Sequence, residues 1–249
     1  MIYLKNKREI GSIERSCRVV AEVLRRLKLQ IRPDVSTREL DALAEQWIRE
    51  MKAEPAFKHY RGYPATLCIS INEEIVHGIP SHRKFKEGDI VSIDVGARRD
   101  GYYGDAAATF PVGEVAPDAL QLINVTRDSL YRGIEQARPG NYLSDISQAV
   151  QGWVEQFGFS VVRDFVGHGI GKELHEPPQI PNYATPGKGV RLEPGMVFAL
   201  EPMINAGTHR IKILDDGWTA VTEDHSLSAH FEHTVAITEN GPHILTSWE

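Results

Sequence analysis

Two aspartates interrupt what otherwise reads as a β-hairpin. The stretch IDVGARRDGYYGD, residues 93–105, carries Asp94 and Asp105 in its two arms, with Asp100-Gly101 offering a tight turn between them. Aspartate is disfavoured inside strands. A turn centred on Arg99-Asp100 sets Asp94 directly opposite Asp105; one centred on Asp100-Gly101 sets them diagonally. Both registers put the two carboxylates on one face, a few ångströms apart. Like charges at ~4 Å repel by about 4 kcal/mol at an effective dielectric near 20. A shared proton, a basic partner or a metal must offset that, unless the hairpin is distorted and one aspartate faces solvent.

Three further stretches supply company for the pair. MVFALEPMI is a near-continuous apolar run with one acid, Glu201, and such runs are usually buried on both faces. SAHFEHTVAIT repeats the pattern with Glu232. GHGIGKELHEPP places His168 and His175 in a Gly-rich, Pro-ended loop that permits close approach to a ligand. A buried carboxylate without a partner is costly. Two Asp, two Glu and one His would be balanced by two divalent cations, with room for a bridging water or hydroxide. Oxygen-rich ligation with a single imidazole suits Mn, Fe, Co or Zn. Paired metals activate a water and polarise a carbonyl or phosphoryl oxygen. No G-x-S-x-G elbow and no P-loop competes with that chemistry.

These residues need a scaffold. The spacing of Ile10, Ile13, Cys17, Val20, Leu24 and Leu27 predicts an amphipathic helix over 7–29. Pro33 ends it. Ser36 with Glu39 forms a capping box for a second helix, whose apolar face carries Leu40, Leu43, Trp47 and Ile48. Strands follow at 65–71, 89–97 and 101–110. Two more helices cover 117–137, ended by Pro139-Gly140, and 144–158, capped by Ser144. Strands return at 159–167, 195–204, 218–223 and 229–238. The order helix, helix, strands thus occurs twice, without a residue-level repeat. Strands do not alternate one for one with helices, which argues against a doubly wound parallel sheet. The expectation is an α+β fold, a largely antiparallel curved sheet covered by helices.

Composition bounds the function class. The 249 residues are 41% hydrophobic and carry a net charge of −6. That suffices for a substantial core and shows none of the basic striping of a nucleic-acid binder. The basic residues of the N-terminal third are interleaved with apolar positions, as on a solvated helix face. Cys17 and Cys68 are the only cysteines, too few for a disulfide framework. There is no apolar signal region at the N-terminus and no run of roughly 18 apolar residues. These features point to a reducing, cytoplasmic compartment.

Taken together, SINEEIVHGIP, IDVGARRDGYYGD, GHGIGKELHEPP, FALEPMI and SAHFEHTVAIT, in this order, resemble the bacterial type I methionine aminopeptidases, from about residue 4 to 246. The resemblance implies the pita-bread fold: one catalytic domain, 1–249, of two pseudo-twofold related halves, about 1–112 and 113–249. It implies two divalent ions, with Asp94 the bidentate ligand of one. Asp105 and Glu232 bridge, and His168 and Glu201 complete the second. His77 and His175 are implied to contact the scissile amide and the tetrahedral intermediate, and Glu201 to handle the proton of the attacking water. Tyr60, Tyr63, Cys68 and Trp218 match the lining that holds the methionine side chain. Phe57 and Leu174 depart from it, where the family pattern has a cysteine and a phenylalanine. Only 25 positions separate His175 from Glu201, leaving no room for the type II insertion.

The implied activity is removal of N-terminal methionine from nascent proteins and peptides, preferentially before a small second residue. The implied setting is a cytoplasmic monomer acting on nascent N-termini at the ribosome, without nucleic-acid or membrane binding. Three alternatives keep the fold and change the function. A proline aminopeptidase would share the metal site but usually carries a large N-terminal domain. A metal-free relative, as in creatine hydrolysis, would lack ligands. An inactive binding module would lack ligands or show a basic face.

Overall fold

A computed structural model describes residues 2–248; the two end residues of the expected 1–249 domain lie outside them. Helix α1 (Lys7–Lys28) starts where Asn6 accepts from the Arg8 and Glu9 N–H groups, and the Glu9 carboxylate accepts in return from the Asn6 N–H. It ends at Lys28, before Pro33 can act, with Arg25, Arg26 and Lys28 complementing the negative end of its dipole. Ile13, Cys17, Val20, Leu24 and Leu27 form its buried stripe. The expected capping box of Ser36 and Glu39 opens α2 (Thr37–Glu50). Its buried face is Thr37, Leu40, Ala44 and Ile48, with Leu43 and Trp47 half-buried at the edge.

A second helical pair follows the first group of strands. Helix α3 (Pro117–Gln136) begins with proline in its first turn, where no N–H is missed. Helix α4 (Leu143–Val154) corrects the expected cap. Tyr142, not Ser144, is the N-cap, because the Asp145 carboxylate accepts from the Tyr142 N–H at 2.7 Å and starts the helix earlier. Its last turn tightens to a 3-10 segment, Glu155–Phe157.

Every strand pairing is antiparallel. Strand Ile90–Arg99 is central in its sheet, paired with Leu67–Ile71 on one side and Tyr102–Pro111 on the other. The hairpin turn sits at Asp100-Gly101, with φ of +52° and +81°. Asp105 therefore opposes Gly96, two residues along from the Asp94–Ala107 pair and on the same face, so the diagonal register is the one adopted. Helix α1 packs on this hairpin, and one apolar core continues from α1 and α2 through the sheets to α3 and α4.

The expected strands of the second half are broken. Of 159–167 only Ser160–Val161 is strand before Gly167–Gly169 begins, and 218–223 shortens to Ala220–Thr222. The run 195–204 divides into Val197–Leu200 and Met203–Asn205; 229–238 divides into Ser228–His230 and His233–Thr238. The breaks face each other. Leu200 pairs with His233 and Met203 with His230, so the register runs on unchanged across the gap and leaves Glu201 opposite Glu232. Pro202 has no N–H to donate. The Glu232 N–H donates instead to the Ala107 carbonyl of the hairpin at 2.8 Å. Two threonines frame that bond. Thr109 Oγ1 donates to the His230 carbonyl at 2.8 Å, and the Thr234 hydroxyl donates to the Asp105 carbonyl at 2.7 Å. The hairpin is thereby stitched along residues 230–234.

Candidate metal centre and substrate cleft

The stitching and the interrupted ladder set the acidic residues side by side. Asp94 and Asp105 share one face of the hairpin, and Asp105 lies against the 230–234 segment that carries Glu232. Glu232 faces Glu201 across the break. His168 pairs with Ala199, next to the end of the Glu201 strand. Ligand atoms of Asp105, His168 and Glu232 lie within 4.8 Å of one another, and His168 Nε2 is 3.5 Å from Glu201 Oε1. All five residues line one cleft.

Three carboxylate oxygens there, Asp94 Oδ1, Asp105 Oδ1 and Glu232 Oε1, are buried with no hydrogen-bond partner. No lysine or arginine pairs with any of the four acids among the described residues. Burial pushes Asp94 up to about 7. Burial, then the charges of Glu232 and Asp94, push Asp105 well above the usual carboxylate range. Glu201 and Glu232 are raised in the same way, by burial first and their acidic neighbours second. Carboxyl groups buried against one another without a cationic partner are the donor set of a hard or borderline divalent cation.

His168 fits that set. Its Nδ1 lies 2.9 Å from the Gly169 carbonyl, which only accepts, so Nδ1 carries the proton and donates. Burial holds the ring down to about 4, hence neutral. The Nε2 lone pair is left toward the carboxylates, the tautomer a ligating histidine needs. The residues present therefore fit divalent metal binding.

The rest of the cleft is largely aromatic and apolar, and the cleft as a whole has a cavity volume of about 170 Å³. Tyr63 and Trp218 meet edge to face at 5.1 Å between ring centroids. The Tyr63 hydroxyl lies 2.9 Å from both the Leu67 and Gly78 carbonyls, so the ring is fixed. Phe57, Cys68 and Leu174 are buried beside them. Burial, then the Asp94 charge, raises the Cys68 thiol, which stays protonated and packs as a small apolar group. His77 stands at φ +62°, and a Cβ on the next residue, Gly78, would lie 2.2 Å from the Ile69 carbonyl oxygen. Only glycine permits that close approach, which sets the His77 ring edge-on to Trp218 and Phe165. His175 stacks on Tyr60 at 5.3 Å, with Nδ1 2.8 Å from the Tyr60 hydroxyl. Partial burial of the ring, then the neighbouring His168, lower His175, although the residue stands exposed at the mouth. Burial lowers His77 as well. Two neutral imidazoles thus flank the acidic cluster.

The cleft brings together every site residue expected from the sequence. It adds Arg61 and Val76 to the lining, and Phe165 behind His77. Nothing in RDFVG or IVHGIP marks an apolar residue as part of a site.

Comparison with known proteins follows the same line. Metallopeptidase family M24 matches residues 11–239. The chain is 53% identical over 246 residues to methionine aminopeptidase 1 of Bacillus subtilis, covering 99% of each. It superposes on the methionine aminopeptidase of Thermotoga maritima with a TM-score of 0.97 at 49% identity, covering 99% of this chain and 100% of that one. The prolidase of Pyrococcus furiosus shares the fold at a TM-score of 0.80 and 26% identity, but 99% of this chain covers only 66% of it.

Proposed function

The chain belongs to metallopeptidase family M24, and from that premise we propose that it removes the N-terminal methionine of nascent proteins and peptides, preferentially before a small second residue. It is a metal-dependent aminopeptidase. One observation carries the substrate reading: the orphaned carboxylate cluster and the apolar Tyr63–Trp218 pocket share a single cleft.

Asp94, Asp105, His168, Glu201 and Glu232 would hold two divalent cations of the Mn, Fe, Co or Zn class. When bound, such ions supply an acidified water and positive charge for a developing oxyanion. The methionine side chain packs among Tyr60, Tyr63, Cys68 and Trp218, with Phe57 and Leu174 closing the walls. His77 and His175, both neutral, offer N–H groups to the scissile carbonyl oxygen, an interaction that strengthens as charge builds there. Glu201, placed beside His168 at the acidic cluster, takes the proton of the attacking water and returns it to the leaving amine. The stacked Tyr60–His175 pair narrows the exit beside the scissile bond, which favours a small second residue. Asp94 and Asp105 come from one half of the chain and the other three from the second, so the reading treats the chain as one catalytic unit.

No helix of the described residues is long and apolar enough to cross a membrane, and both cysteines are free. A cytoplasmic monomer meeting nascent chains as they emerge from the ribosome accords with both. The test is release of methionine from Met-Ala-Ser and Met-Leu-Ser by metal-loaded protein. Met-Ala-Ser should react about ten-fold faster or more. Release of no methionine from either peptide would overturn the proposal.

A further inference from the structure

Among the described residues, Arg61 is the one arginine or lysine lining the cleft, and it takes no part in the hydrolysis itself. It sits in the turn Tyr60–Gly62 with φ +51° and ψ +21°. His59 at +70° and Gly62 at +94° flank it. A bulky residue in the left-handed region is uncommon and is held there only by its surroundings. Glycine or asparagine would fit this turn with less strain, so local conformation does not explain an arginine.

Its charge is also unanswered. Neighbouring cations find partners: Lys58 lies 2.7 Å from Glu45, and Arg98 lies 3.6 Å from Glu54. Arg61 has no ion pair within 4 Å and no side-chain hydrogen bond among the described residues. The guanidinium instead lies over the Tyr60 ring, 5.4 Å from its centroid. That contact steadies the fork without occupying its donors. Tyr60 is bonded in turn to His175, so Arg61 sits at the exposed mouth, beside the imidazole that flanks the scissile bond.

We propose that Arg61 receives a carboxylate of the substrate beyond the cleaved bond, an acidic side chain at the third position of the peptide. The proposal rests on the methionine-removal reading. A chain whose first side chain fills the Tyr63–Trp218 pocket, and whose second residue passes the Tyr60–His175 pair, leaves the cleft at Arg61. An extended residue advances ~3.3–3.6 Å, so the third side chain is the first to emerge there. A forked guanidinium suits a carboxylate better than a point charge does.

The experiment compares kcat/KM for Met-Ala-Glu-Ser, Met-Ala-Gln-Ser and Met-Ala-Lys-Ser, each amidated at its C-terminus to remove the terminal charge. The probe is the metal-loaded protein, and ratios taken within one preparation do not depend on the active fraction. The Glu peptide should be preferred over the Gln peptide by about two- to five-fold, as for an exposed ion pair. The preference should lie in KM and shrink at high salt. Arg61→Gln should bring the ratio to one, and Arg61→Glu should favour the Lys peptide. A wild-type ratio of one, or a preference that survives both variants, overturns the role of Arg61 while leaving methionine removal standing. Failure to cleave any of the three peptides overturns the functional reading itself.

Discussion

His168 and His175 lie with ring centroids 4.2 Å apart and have different partners. His168 spends its proton on a backbone carbonyl and turns a lone pair toward carboxylates; His175 leans on a tyrosine and keeps Nε2 without a partner among the described residues. His175→Ala should keep its metal and lose about 10²- to 10³-fold in kcat, the usual loss for one oxyanion donor. His168→Ala should bind metal more weakly. Equal loss of metal in both variants would show that the loop supplies two ligands. The Gly-rich context of GHGIGKELHEPP made both histidines legible in the sequence. Their tautomers and stacking partners were not, because Gly169 O and Tyr60 are met only in the folded chain. Arg61 escaped for a related reason: an arginine between a tyrosine and a glycine signals nothing until its missing partner is seen.

Elements position these residues by being interrupted. The runs 195–204 and 229–238 read as continuous strands, and each breaks at its glutamate. Pro202 was a visible signal of the first break. The second had none, since the Glu232 N–H is drawn away by Ala107 on the distant hairpin. Capping shows the same contrast: Ser36 and Glu39 were readable as a box, whereas Tyr142 became a cap through the Asp145 carboxylate. The His175 loop is held by a further tertiary contact. Lys5, its side chain 2% exposed, pairs at 2.7 Å with Glu176. Glu176 also accepts from the Lys172 and Glu173 N–H groups. Removing one partner of a buried pair costs about 3 kcal/mol or more. Lys5→Met should therefore lower the urea midpoint clearly and raise hydrogen exchange in residues 171–176. A midpoint equal to wild type would mean that the loop does not depend on this tie.

At the scale of the whole molecule, folding collects four acids that repel each other, and without metal that repulsion opposes stability. Burial holds His168 and His233 down to about 4 and His230 to about 3. Depressed histidines add stability as pH rises toward about 6.5, while the raised carboxylates subtract it over the same range. Above about pH 6.5 the unfolded chain sheds its remaining histidine protons, and by about pH 7.5 the histidines are neutral in both states. There the folded chain still binds protons on Asp94, Asp105, Glu201 and Glu232 that the unfolded chain has lost. Stability of the metal-free protein should fall from about pH 7.5 to 8.5, and a divalent cation should abolish that fall. Urea midpoints that rise over this window without metal would contradict the clustering. The α+β class and its antiparallel pairing were legible from periodicity. The stitching of hairpin to second sheet, through Thr109 and Thr234, was not. The central claim is metal-dependent removal of methionine by this cluster. It is tested most directly by hydrolysis of Met-Ala-Ser, Leu-Ala-Ser and Pro-Ala-Ser with metal-stripped protein reconstituted in turn with Mn, Fe, Co and Zn. Stripped protein should show no turnover, at least one metal should restore it, and Met-Ala-Ser should be preferred by about ten-fold or more. Full turnover with metal verified absent, or preference for Pro-Ala-Ser, would contradict it.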